Sequence, residues 1–167
     1  VTARRPVATD PPTGAGGLLE SLAARGWSLG TAESLTGGLL AATLVAVPGA
    51  SRVFHGSVVA YDPGLKIEVL GVAADLVDRV GTVDREVASQ MALGACRVLG
   101  VDVAIATTGV AGPGPSEGHP AGTVWLACAT PSEVTARRLA LTGDRSQVRS
   151  GAVEAALDLA HEVTLSG

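Results

Sequence analysis

Residues 101–107 (Val-Asp-Val-Ala-Ile-Ala-Thr) place the strongest limit on the fold. The run has the length and the Val and Ile content of a β-strand, yet it is apolar through most of its length instead of alternating. A strand that is apolar on both faces must be covered on both, and helices are the usual cover. The chain supplies them in an alternating order. Helical periodicity marks residues 17–25, 36–47, 73–80, 84–99 and a last segment after Asp144, with a short helix expected at Pro63. Strand signals mark residues 27–31, 52–61 and 101–107, and a late hairpin joins 122–129 to 134–141 around Pro131-Ser132. Gly56 within the second strand suggests a bulge. These layers predict an α/β fold, a three-layer α/β/α sandwich around a mixed sheet.

Composition narrows the material and the function classes. Aromatics are only 2% of the chain, so the core must be built from Ala, Val and Leu. Residues 1–16 are rich in Pro, Thr, Gly and Arg without periodicity and read as a flexible N-terminal arm. Residues 17–167 read as a single domain. Sixteen acidic against twelve basic residues give a formal net charge of −4. No basic stripe with interleaved aromatics occurs, which argues against a nucleic-acid partner. No signal sequence or membrane-length apolar run is present, so the expectation is a cytoplasmic protein with no membrane partner. Cys96 and Cys128 lie in apolar runs without metal-ligand spacing and read as buried thiols. No metal site and no cofactor are expected.

Three polar clusters fall where strands run out, the edge at which open α/β sheets gather ligands. The first is Gly30-Thr31-Ala32-Glu33-Ser34-Leu35-Thr36-Gly37-Gly38. A strand feeding a helix through such a turn leaves N–H groups at the helix start, which favour an anion or a developing oxyanion. It also lets a hydroxyl stand clear of the backbone, with Gly37 and Gly38 leaving room for a ligand. The plainer reading is that Ser34 or Thr36 caps the helix.

The second cluster runs from Tyr61 to Lys66. The chain has eleven arginines and a single lysine, Lys66. Arg is effectively never deprotonated, whereas Lys loses its proton when desolvated or placed near another cation. A hydroxyl beside a neutralisable Lys and a Tyr is a recurring way to activate serine without histidine. The third cluster, Thr107 to Gly114, is a glycine-rich loop able to offer N–H donors to an oxyanion or a phosphate. Arg145 joins a guanidinium to the start of the last helix, where Asp144 and Gln147 are spaced as a capping box. Ordinary readings stand beside these: Lys66 as a solvated helix lysine, Tyr61 as a core-edge ring, Arg145 and Arg149 as surface cations. A Ser–His pair through His55 or His119 is a further alternative.

Five motifs occur in order: Thr31-Ala32-Glu33-Ser34-x-Thr36-Gly37-Gly38, Tyr61-x4-Lys66, Thr108-Gly109-Val110-Ala111-Gly112-Pro113, Pro120-Ala121-Gly122-Thr123-Val124-Trp125 and Gly143-Asp144-Arg145. Together they resemble the CinA C-terminal domain family, the nicotinamide-nucleotide amidases, from about Leu18 to Val163. The resemblance implies an amidohydrolase of three-layer α/β/α fold. Its reaction would convert nicotinamide mononucleotide to nicotinate mononucleotide and ammonia, a step in pyridine-nucleotide recycling. Carried over by position, Ser34 would be the nucleophile, Lys66 the base and Tyr61 an assistant. Thr36, Gly37, Thr108, Gly109 and Gly112 would hold the substrate, and Arg145 its phosphate. The implied partner is a small nucleotide, and a homo-oligomer is expected. The chain departs from the pattern at Leu35, where many members carry Cys, and at Asp84, where Ser is frequent. The alternative reading is a non-catalytic module that binds a pyridine nucleotide or a partner.

Overall fold

Residues 103–108 are all buried, as expected of a strand covered on both faces. They belong to a computed structural model that describes residues 14–166. Most of the arm expected over residues 1–16 therefore lies outside the described residues. In chain order the elements are α1 (Ala15–Arg25), β1 (Leu29–Glu33), α2 (Leu39–Val45), β2 (Phe54–Val59), α3 (Pro63–Glu68) and α4 (Ala74–Val80). There follow α5 (Arg85–Leu99), β3 (Val103–Gly109), β4 (Thr123–Ala129), β5 (Val134–Ala140) and α6 (Arg145–Ser166). The sheet order is β2-β1-β3-β4-β5. The pairs β1·β2 and β1·β3 are parallel, β3·β4 and β4·β5 antiparallel. This is the expected mixed sheet.

The two faces are filled differently. Val103 and Ile105 point into a core with Leu29, Leu126 and leucines of α1, α2 and α6. Ala104 and Ala106 point to the opposite face, where Ala32, Ala127 and Ala129 join them against α5. Small side chains on that face let α5 approach the sheet closely, which is how a core without aromatics still packs densely. A Cβ on Gly94 of α5 would lie 2.0 Å from the Leu70 carbonyl oxygen, so only glycine fits there. Cys128 is buried in the first core, and burial pushes its thiol up to about 12. Cys96 is half-buried, and its thiol is also raised by burial.

Several boundaries differ from expectation. The first helix starts at Ala15, which is buried, not at Gly17. β1 runs from Leu29 through Glu33, because it finds hydrogen-bonding partners on both sides as far as Glu33. α2 begins only at Leu39, since Gly37 and Gly38 take φ of 57° and 94°, outside the helical region. The β1·β2 register slips between Leu29 and Gly30, leaving His55 as the extra residue beside the predicted bulge at Gly56. Asp84 caps α5 by accepting the Glu86 N–H, and the Asp144–Gln147 capping box forms in both directions.

The parallel strands β2, β1 and β3 end at one edge of the sheet, and β4 starts there. The three polar clusters leave the strands at that edge.

Candidate active site

The site begins with a buried acid. The Glu33 carboxylate, fully buried at the end of β1, accepts from Thr36 Oγ1 at 2.7 Å. It also accepts the N–H groups of Gly38, Leu40 and Ala41 at 3.0, 3.1 and 2.8 Å. Glu33, not Ser34 or Thr36, therefore caps α2. An acid at a helix start is favoured by the helix dipole, and here its oxygens take up the N–H groups that would otherwise invite an anion. Arg149 reaches across from α6 and donates to the carbonyls of Leu35 and Thr36 at 3.0 and 2.8 Å. It is a clamp on the turn, not the surface cation expected from sequence. Held from both sides, the turn presents Ser34.

Lys66 approaches from α3, which Pro63 and the Asp62 cap start sharply, the Asp62 side chain accepting the Gly64 N–H at 2.7 Å. Its side chain is 1% exposed. This overturns the solvated-lysine reading. Nζ lies 3.0 Å from Ser34 Oγ, 2.7 Å from the Ala60 carbonyl and 3.3 Å from that of Tyr61. The distance to Oγ serves either an ammonium donating to the hydroxyl or a neutral amine taking its proton. Burial lowers the Lys66 pKa to about 8, against the charges of Glu117 and Asp62, which raise it. A lysine so placed is partly neutral near physiological pH.

Ser34 opens into a cleft of about 130 Å³ whose lining includes Tyr61, Thr82, Gly109, Ala111, Glu117 and Arg145. The Tyr61 hydroxyl accepts from Arg145 Nη2 at 3.1 Å. Its contact with Lys66 is through the carbonyl, not the phenol. Arg145 also donates to the Gly112 carbonyl at 2.8 Å, tying the glycine loop to the start of α6.

Other candidates sit elsewhere. Thr36 is fully buried, with its hydroxyl on Glu33 and Thr107, so it builds the turn and does not face the cleft. Thr108 is likewise buried and donates to the Thr82 carbonyl at 2.8 Å. Gly37 lies outside the cleft lining, and its N–H is spent on the Ser34 carbonyl at 3.0 Å. The Ser34 N–H is spent on Thr107 at 3.0 Å, which leaves Leu35 and Thr36 as the donors of this turn. Leu35 is 4% exposed, packed in the first core and bordering the cleft.

His55 lies at the opposite end of the strands with Trp27, Arg52 and Asp102, around a larger cleft of about 460 Å³. His119 closes a turn onto Ser116 and does not line the Ser34 cleft. The Ser–His alternative is thereby removed. Sequence reasoning missed Glu33 as a cap, Arg149, Thr82 and Glu117. A buried acid closing an apolar strand was a usable signal for the first, and nothing local marked the others.

A family model of the CinA C-terminal domain matches residues 14–164. The chain belongs to the CinA C-terminal domain family. A CinA-like protein from Frankia casuarinae is 44% identical over 144 residues, covering 86% of this chain and 33% of that protein. The chain thus spans about a third of the length of the curated relatives it matches. A CinA superfamily protein of Klebsiella pneumoniae 700603 has a solved structure similar to this one, with a TM-score of 0.88 and 36% identity. That likeness covers 92% of this chain and 96% of the other. A competence/damage inducible protein from Agrobacterium tumefaciens gives a TM-score of 0.88 at 31% identity, over 99% and 100% of the two chains. The shared fold is the three-layer sandwich expected from the layers of the sequence. Among the described residues, no helix is long and apolar enough to cross a membrane.

Proposed function

We propose that this domain hydrolyses the carboxamide of nicotinamide mononucleotide, giving nicotinate mononucleotide and ammonia, with Ser34 as nucleophile and Lys66 as base. The observation that carries the reading is the buried Lys66 Nζ at 3.0 Å from Ser34 Oγ. Burying the only lysine costs stability, and a neutralisable amine against a serine hydroxyl is the pairing a serine hydrolase without histidine uses. The choice of substrate rests on the motif resemblance and family membership.

The geometry supports the following steps. Neutral Lys66 takes the Ser34 proton as Oγ attacks the carboxamide carbon, and the carbonyl oxygen becomes an oxyanion. The Leu35 or Thr36 N–H beside the nucleophile, with the Ala111 N–H across the cleft, are the groups that would stabilise it, the Val110 N–H being held by the Thr123 carbonyl. Protonated Lys66 returns the proton to the nitrogen, ammonia leaves, and Ser34 is left as an ester. Water then attacks that ester with Lys66 again as base, releasing the carboxylate and restoring Ser34. Tyr61 acts indirectly in this scheme: its hydroxyl orients Arg145, which would hold the phosphate at the mouth of the cleft.

The test is ammonia release from nicotinamide mononucleotide by the pure protein. Release should be measurable and should fall by about a thousandfold or more in Ser34→Ala, as loss of a covalent nucleophile does, while Tm stays near its parent value. Binding without release would leave a nucleotide-binding module.

A further inference from the structure

Glu117 is the only acidic residue between Asp102 and Glu133, and it lines the same cleft as Ser34 and Arg145. The acyl-transfer steps make no use of it. A carboxylate there even opposes them, because its charge favours the protonated form of the lysine that must act as base. Yet the structure fixes it firmly. Its two oxygens accept from the Thr82 N–H and the Thr82 hydroxyl, the latter at 2.8 Å. Thr82 is itself anchored from β3, its carbonyl accepting from Thr108 Oγ1 at 2.8 Å. Glu117 adopts a φ of 50°, unusual for a residue with a side chain. A Cβ on neighbouring Gly81, whose φ is 77°, would lie 2.3 Å from Glu117 Oε2, so a side chain there would push the carboxylate off its latch.

Ser34, Glu117 and Arg145 line one cleft, and Glu117 and Arg145 both reach solvent there. A cleft lined by a latched carboxylate and by a guanidinium complements a ligand that is cationic at the ring and anionic at its tail.

We propose that Glu117 is a specificity residue for ring charge: the cleft accepts an N-substituted pyridinium in preference to an uncharged ring of the same shape. This rests on the amidase reading for the choice of ligand, but it concerns binding and is measured as binding.

The experiment uses Ser34→Ala protein, which blocks turnover, and two ligands: nicotinamide mononucleotide and its reduced dihydropyridine form. Both carry the carboxamide, the ribose and the phosphate, and only the first has a charged ring. The parent should bind the pyridinium form about tenfold tighter or more, one decade being ~1.4 kcal/mol. Adding Glu117→Gln should weaken the pyridinium form about tenfold and the reduced form less than twofold. Thr82→Val loosens the latch but keeps the carboxylate, so it should keep the preference. Equal binding of both forms by the parent overturns the proposal. So does an equal loss for both forms in Glu117→Gln, which would make Glu117 a loop latch, and so does binding of neither form. Ammonia release by the unsubstituted protein reports separately on the amidase reading. Ring-charge preference without release would keep this inference and remove that one.

Discussion

Lys66 concentrates the chemistry of the site in one side chain whose proton is held weakly. With a pKa of about 8, roughly a tenth of the molecules carry a neutral amine at pH 7 and about half at pH 8. A base must be neutral to act, so kcat/KM for nicotinamide mononucleotide should rise with pH and level off above about 8. A profile flat from pH 6 to 9 would remove Lys66 from the base role. Lys66→Arg keeps the cation but cannot deprotonate, and turnover should fall by at least about a hundredfold, the lower range for general-base catalysis. Arg145 is a residue of a different kind. If it holds the phosphate, Arg145→Ala should lower kcat/KM for the nucleotide by roughly ten- to a hundredfold, the scale of a charge-assisted hydrogen bond. The riboside, which has no phosphate, should hardly change. An equal drop for both would instead place Arg145 in orienting Tyr61 and the Gly112 loop.

At the scale of elements, the turn between β1 and α2 is rigid because its polar groups are internally satisfied. Glu33 accepts from one end of α2 and from Thr36, and Arg149 of α6 holds the carbonyls of the same turn. Ser34 is thus positioned by Glu33 and Arg149, neither of which lines the cleft. Glu33→Gln replaces one acceptor oxygen with an amide NH2 facing donors. It should cost roughly 2–4 kcal/mol of stability, as losing charge-assisted bonds to buried N–H groups does. Chemical denaturation measures it, and a loss below ~0.5 kcal/mol would show that water or rearrangement caps α2 equally well. Turnover should fall as well, because Ser34 loses its fixed placement relative to Lys66.

For the molecule as a whole, the site is a local cost to stability. The Lys66 pKa is lowered from 10.5 to about 8, so between these values the unfolded chain binds more protons than the folded one. Stability therefore rises with pH across that window, and the penalty is fully present below about 8. Lys66→Met removes the buried charge at similar length but leaves Ser34 Oγ and two carbonyls without a donor. The net effect should be a gain of roughly 1–2 kcal/mol at pH 7, a few degrees in Tm. The gap over the parent should shrink as pH rises from 8 toward 10.5. A gap that widened with pH, or a variant less stable at pH 7, would contradict a depressed lysine.

What the sequence determined by itself is whatever local pattern and chemical identity decide. The apolar run of β3 required cover on both faces, the glycines and capping residues cut the helices near their observed ends, and a lone lysine among arginines singled out Lys66 as the candidate base. Ser34, Lys66 and Arg145 reach one edge because strand ends in a partly parallel sheet fall together. Tertiary structure decided the rest, because those facts depend on groups brought together from distant parts of the chain. Thr36 and Thr108 carry the same hydroxyl as a substrate-binding residue, but burial turns them to Glu33 and Thr82. Arg149 has the same side chain as Arg145, and one helical turn along α6 makes it a clamp on the Ser34 turn. Glu117 stands in a glycine- and proline-rich loop with no periodicity to orient it. Only the fold brings Thr82, 35 residues away, to its carboxylate and sets Glu117 in the lining of the Ser34 cleft.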